Sequence, residues 1–205
     1  MGQIAVDVVL LPDGEMTTRA IEINRQLAAP GRPEIVLGRQ ERLPHISLAM
    51  GGVEDANVQS IEECLEGIAR QVPVRTLRAV GLTASVNARG ETTCLLDIER
   101  TPQLQALHER VMLEMKSFFS YDVNAALFRD DAINPSTLEW VRTYPQKAAY
   151  ENFHPHITLG YGQTPPDLSF PIPFTVAQLA LCHLGNHCTC RKVLATAHVA
   201  WASRP

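Results

Sequence analysis

The stretch Pro44-His45-Ile46-Ser47-Leu48-Ala49-Met50-Gly51 returns 111 residues later as Pro155-His156-Ile157-Thr158-Leu159-Gly160-Tyr161-Gly162. Six positions agree: proline, histidine, isoleucine, hydroxyl, leucine and the closing glycine, which reads as an internal duplication. Side chains alternate across a β-strand, so residues i and i+2 share a face. His45 and Ser47 then point one way while Ile46 and Leu48 turn to the apolar side. His156 and Thr158 repeat the arrangement. Two such strands would aim two imidazoles and two hydroxyls into one cleft.

Around this pair the chain has ordinary soluble composition, with 205 residues, 45% hydrophobic and 20% charged. That is enough to bury a full core, and residues 1–205 read as one bilobal domain whose lobes are related by the duplication. A net charge of -4 argues against a protein that lives on long DNA, where a basic footprint dominates affinity. A small nucleotide or an RNA end is still an acceptable partner. No apolar run approaches the roughly 18 residues of a membrane span, and the N-terminus does not look like a signal peptide. Five unevenly placed cysteines argue against a disulfide framework and for a reducing cytoplasm. A monomer is expected.

Gln3 to Leu11 reads as a β-rich apolar run ending at the turn Pro12-Asp13-Gly14, and Ala20, Ile21, Asn24, Leu27 and Ala28 mark a helix stopped by Pro30-Gly31-Arg32-Pro33. After the first motif, Val58, Ile61, Leu65 and Ile68 predict a helix over 55–70. Val72 to Val86 and Thr92 to Ile98 read as strands joined across Asn87-Ala88-Arg89-Gly90. Thr101-Pro102 opens a helix over 102–119, whereas 129–152 is poorly periodic. The second motif precedes a break at Thr164-Pro165-Pro166, then Phe174 to Leu184 and Thr189 to Trp201 close the chain as strands. Hairpin-sized links imply α+β, with largely antiparallel sheets lining a central cleft and helices packed outside.

Two histidines facing across a cleft suit general acid–base catalysis near neutral pH. One neutral imidazole takes a proton from the attacking group, and the other, as imidazolium, gives one to the leaving oxygen. Ser47 and Thr158 can donate hydrogen bonds to the non-bridging oxygens of a phosphoryl group held between them. Nothing in this scheme needs a metal. Two unperturbed histidines predict a bell-shaped pH profile with its maximum at roughly pH 6–7.5.

The doubled His-x-Ser/Thr resembles the 2H phosphoesterase superfamily, and the sequence from Glu151 to Gly160 resembles its bacterial 2′-5′ RNA ligase-like branch. The resemblance implies a bilobal α+β fold and a metal-independent phosphoesterase with no cofactor. Its substrates would be 2′,3′-cyclic or 2′,5′-linked phosphodiesters of small nucleotides or RNA ends. His45 and His156 would be catalytic, and Ser47 and Thr158 would hold phosphate. RNA-active relatives often carry an arginine soon after a motif; Ala49-Met50 and Gly160-Tyr161 lack one, which disfavours tRNA-sized substrates.

Other residues are candidates for substrate contact. His154 shares strand parity with His156, Arg42 stands three before His45, and a bend at Gly160 would bring Tyr161 round to stack on a base. Arg142 and Lys147 precede the second motif, Phe153 has core parity, and His108 and His198 read as structural. Two readings from other classes compete. One is a nucleotide or RNA-end binding protein with little catalysis. The other is a zinc site in Cys182-His183-Leu184-Gly185-Asn186-His187-Cys188-Thr189-Cys190, which gathers five potential ligands but lacks a Cys-x-x-Cys knuckle.

Overall fold

In strand β1 (Gln3–Pro12) each residue from Ala5 to Leu10 is fully buried. Its near-continuous apolar character follows, since neighbours cover both of its faces. The computed structural model describes residues 2–27, 35–72, 74–86, 92–162 and 168–198. Asp13 caps helix α1 (Gly14–Leu27) by accepting the Met16 N–H at 2.8 Å, and its second oxygen accepts from Thr175, tying the helix start to the sheet. The first motif enters β2 (Ile46–Glu54), and helix α2 (Val58–Gln71) follows a short 3₁₀ turn at Asp55–Asn57. The hairpin strands are β3 (Thr76–Val86) and β4 (Thr92–Ile98).

Helix α3 (Pro102–Met115) begins as the sequence predicts, with the Thr101 hydroxyl accepting from the Leu104 N–H. The stretch over 129–152, which has no clear period, contains helix α4 (Pro135–Lys147). Its apolar pattern is interrupted by Thr137, Trp140 and an internal Pro145, so the period is obscured. The second motif forms β5 (His156–Tyr161), and β6 (Ile172–Leu184) and β7 (Cys190–His198) complete the sheet. β3 starts at Thr76 rather than at Val72. The predicted turns at 30–33 and 87–90, the break at 164–166, Ala28 and the end at Trp201 lie outside the described residues.

Every pairing among the described residues is antiparallel, in keeping with the largely antiparallel α+β expectation, in one seven-stranded sheet ordered β2-β1-β6-β3-β4-β5 with β7 also on β6. The pairing does not display the expected pair of pseudo-symmetric lobes. Instead β6 is long enough to serve β1 through Val176–His183, β3 through Ile172–Thr175, and β7. The two motif strands therefore stand at opposite ends of one path, yet β2 and β5 meet. The sheet's curl makes the cleft. α1 packs on β5, α2 on β7, and α3 and α4 on β2. No described helix is long and apolar enough to cross a membrane.

Candidate active site

Ile46 and Leu48 of β2, and Ile157 and Leu159 of β5, anchor the two motif strands in the core. Alternation then turns His45, Ser47, His156 and Thr158 toward one cleft of about 450 Å³, which all four line. The two histidines are held alike. Nδ1–H of His45 donates to the Leu43 carbonyl at 2.7 Å, and Nδ1–H of His156 donates to the His154 carbonyl at 2.8 Å. A carbonyl can only accept, so each bond fixes the tautomer and leaves Nε2 for proton exchange.

Their electrostatic settings differ. Burial pushes His45 down to about 4, opposed by its bond to Leu43 and reinforced by the charge of His156. Burial lowers His156 as well; its bond to His154 and the nearby Asp97 work against that, and His154's own charge adds to it.

Asp7, which the sequence reading passed over, lies fully buried at the back of the first motif. Its Oδ2 accepts from the Ser47 hydroxyl at 2.6 Å and stands 3.8 Å from Nε2 of His45. The signal was a single acid inside an apolar strand, a group that must be neutralised or used.

The other candidates also reach the cleft. His154 sits largely exposed at the rim, 3.4 Å from Asp97, its ring 5.6 Å from that of His156. Arg42 is half-buried at the mouth in a left-handed conformation, φ 53°. Tyr161 arrives as the predicted bend allows. Gly160 has φ +124° beside a register shift in the β4–β5 pairing, and the Tyr161 hydroxyl stands 3.1 Å from Nδ1 of His187. A Cβ on Gly160 would come within 2.6 Å of the Asn24 amide. That buried amide donates to the carbonyls of Leu159 and Ile35 and accepts from Leu37, so α1 braces both β5 and the 35–37 wall. Asn24 is thus a clamp on the apolar face of its helix.

Helix α4 supplies a wall that the sequence did not reveal, with Ser136, Thr137, Trp140, Tyr144 and Lys147 facing the cleft. Arg142 turns away to the Val123 carbonyl. Phe153 is buried and stacks on His108 at 4.0 Å, with its edge still on the cleft. His108 is structural as expected: Nδ1–H donates to the Leu48 carbonyl and Nε2 accepts the Tyr150 N–H. His198 ends β7, opposite Gln178.

The candidate zinc segment is differently occupied. Cys182 and Cys190 form a disulfide across β6 and β7, Cα atoms 5.5 Å apart, where the cysteine spacing argues against a disulfide framework; Cys64, Cys94 and Cys188 lie outside any disulfide. Nε2–H of His183 donates to the Leu127 carbonyl at 2.9 Å. Cys188 and His187 face the cleft instead, and burial pushes the Cys188 thiol far up. Among the described residues no three His, Cys, Asp or Glu side chains are grouped to hold a metal ion.

A sequence model of the 2′-5′ RNA ligase superfamily matches residues 21–187. No curated protein matches the chain in sequence. Among solved structures, TT0787 of Thermus thermophilus is similar at 15% identity and TM-score 0.62, over 96% of this chain and 98% of that one. A protein described as a phosphoesterase is similar at 16% identity and TM-score 0.56, over 97% and 99% of the two chains. Escherichia coli LigT complexed with 3′-AMP is similar at 15% identity and TM-score 0.55, over 98% and 100%.

Proposed function

The chain belongs to the 2′-5′ RNA ligase superfamily, and on that footing we propose that it is a metal-independent phosphoesterase of 2′,3′-cyclic or 2′,5′-linked phosphodiesters in small nucleotides or RNA ends. The observation that carries the reading is the matched pair of Nδ1–H bonds to Leu43 and His154, which leaves two Nε2 atoms on one cleft. The likeness to a LigT crystallised with 3′-AMP supports a nucleotide-sized ligand.

His45 acts as the base, because burial keeps it neutral. Its Nε2 takes a proton from water as the water oxygen bonds to phosphorus. His156 is also lowered by burial, with its bond to the His154 carbonyl and Asp97 working against that; its protonated form gives the Nε2 proton to the ribose oxygen as the P–O bond breaks. Ser47 and Thr158 hold the non-bridging oxygens. Trp140 and Tyr161 offer aromatic faces to a base, with Arg42 and Lys147 at the cleft wall.

Turnover of 2′,3′-cyclic nucleotides and 2′,5′-linked dinucleotides, with and without EDTA, tests this. Activity on at least one, unchanged by EDTA, is expected. Tight binding without turnover would favour the binding-protein reading.

A further inference from the structure

Asp7 lies in a layer with no room for an uncompensated charge. Every residue from Ala5 to Leu10 is fully buried, and among the described residues Oδ1 of Asp7 has no hydrogen-bond partner of ordinary geometry. Among the described residues, His45 and Ser47 of the first motif lie against it, and Tyr144 from α4 and Cys188 from the turn before β7 are near enough to feel its charge. Opposite it in β6 stands Cys182, which the disulfide keeps uncharged. Among these only His45 can become a cation, and burial disfavours that form. An ionised Asp7 would be a buried anion directly behind a cleft built for an anionic phosphate.

Ser47 has one proton. In the structure it is spent on Asp7 Oδ2 at 2.6 Å, so the hydroxyl cannot also donate to a phosphate oxygen. A carboxylic acid resolves this, because it can donate across the same short contact. Resting on the phosphoesterase reading above, we propose that Asp7 is a positioning residue which, as a neutral acid, donates to Ser47 Oγ when a phosphodiester fills the cleft. The Ser47 hydrogen then swings to a non-bridging phosphate oxygen. The carboxyl proton stays on Oδ2 and turns about the C–O bond toward Ser47 Oγ as the Ser47 hydrogen turns away; no covalent bond changes and one hydrogen bond reverses. Burial, the largest influence on Asp7, drives its pKa well above the ordinary carboxylate range, while Ser47 and the Ala49 amide pull the other way.

The test compares Asp7→Asn, Asp7→Ala, Ser47→Ala and the Asp7→Ala/Ser47→Ala double variant. Inorganic phosphate affinity is measured by calorimetry and kcat/KM on a 2′,3′-cyclic nucleotide. Asn is neutral and can donate to Ser47, so Asp7→Asn should keep at least a tenfold advantage over Asp7→Ala in both. Asp7→Ala and Ser47→Ala should each lose about tenfold to a hundredfold, and the double variant should be no worse than Ser47→Ala. Asp7→Asn should also keep the acid limb of the pH profile. Should Asp7→Ala not fold, the infrared carbonyl stretch of a protonated carboxyl must still be present in the wild type and absent from Asp7→Asn.

An Asn variant as weak as Ala, a lost acid limb, a missing carboxyl stretch or equal phosphate affinity across the set would overturn the proposal. A wild type that turns over none of the substrates would instead defeat the phosphoesterase reading, and the phosphate affinities would still decide the role of Asp7.

Discussion

The backbone N–H of Leu43 donates to the Cys190 carbonyl at 3.1 Å, and the Leu43 carbonyl in turn receives Nδ1–H of His45. The disulfide-bearing end of β7 is therefore two hydrogen bonds behind the candidate base. Leu43 also packs on the small apolar cluster of Val9, Ala180, Cys182 and Cys190.

Cutting that crosslink should soften this corner. A disulfide closing so short a loop is worth about 2–3 kcal/mol on the chain-entropy scale. Cys182→Ser should lower the unfolding free energy by that amount in denaturant titration. A reductant should do the same to the wild type and nothing to the variant. Identical wild-type midpoints with and without reductant would refute it.

The pH profile should lie acid of that for two ordinary histidines. His45 loses its basic form only as pH falls toward about 4, and His156 loses its proton below the usual 6.5. The kcat/KM bell should therefore peak between about pH 4 and 6.5, below the roughly pH 6–7.5 expected of unperturbed imidazoles. A maximum above pH 7.5 would contradict the assignment.

Stability carries a related signature. His45 and His108 are both lowered to about 4 by burial, so the unfolded chain binds more protons between about 4 and 6.5. Their contribution is complete above 6.5 and is lost as pH falls toward 4, up to about 3 kcal/mol for each group. Asp7, raised in the folded state, opposes this by contributing most at low pH and losing its contribution as pH rises through its folded value. His108→Gln should flatten the fall in stability measured by denaturation across that window. An unchanged slope would count against the buried neutral imidazole.

Trp140, 39% exposed on the cleft wall of α4, is the proposed platform for a base. Trp140→Ala should raise KM about tenfold, the effect of one lost base–aromatic stack, with kcat nearly unchanged. Steady-state kinetics on a cyclic nucleotide would show it, and an unaltered KM would remove Trp140 from the substrate path.

The motif strands, β1, α1 and α3 were legible because their signals are local: a period of two around each histidine, a cap at Thr101, an apolar stripe. Helix α4 was not, because the side it turns to the cleft carries Thr137, Trp140 and Tyr144 where a buried helix would carry aliphatics. Asp7 required knowing that β1 is covered on both faces. The disulfide depends on a turn with left-handed His187 and Cys188 and on register shifts between β6 and β7, neither of which follows from alternation. Convergence of the two motifs on one cleft was expected from the duplication, but the route, a curled sheet whose end strands meet, is tertiary.

In the proposed mechanism His45 and His156 act together on one phosphodiester. The most direct measurement is turnover of a 2′,3′-cyclic nucleotide by the wild type, His45→Ala, His156→Ala and the double variant, all in EDTA. Wild-type activity is expected, with a loss of about 10²–10⁴-fold in each single variant and little further loss in the double. Activity that survives either substitution, or that needs added divalent metal, would contradict it.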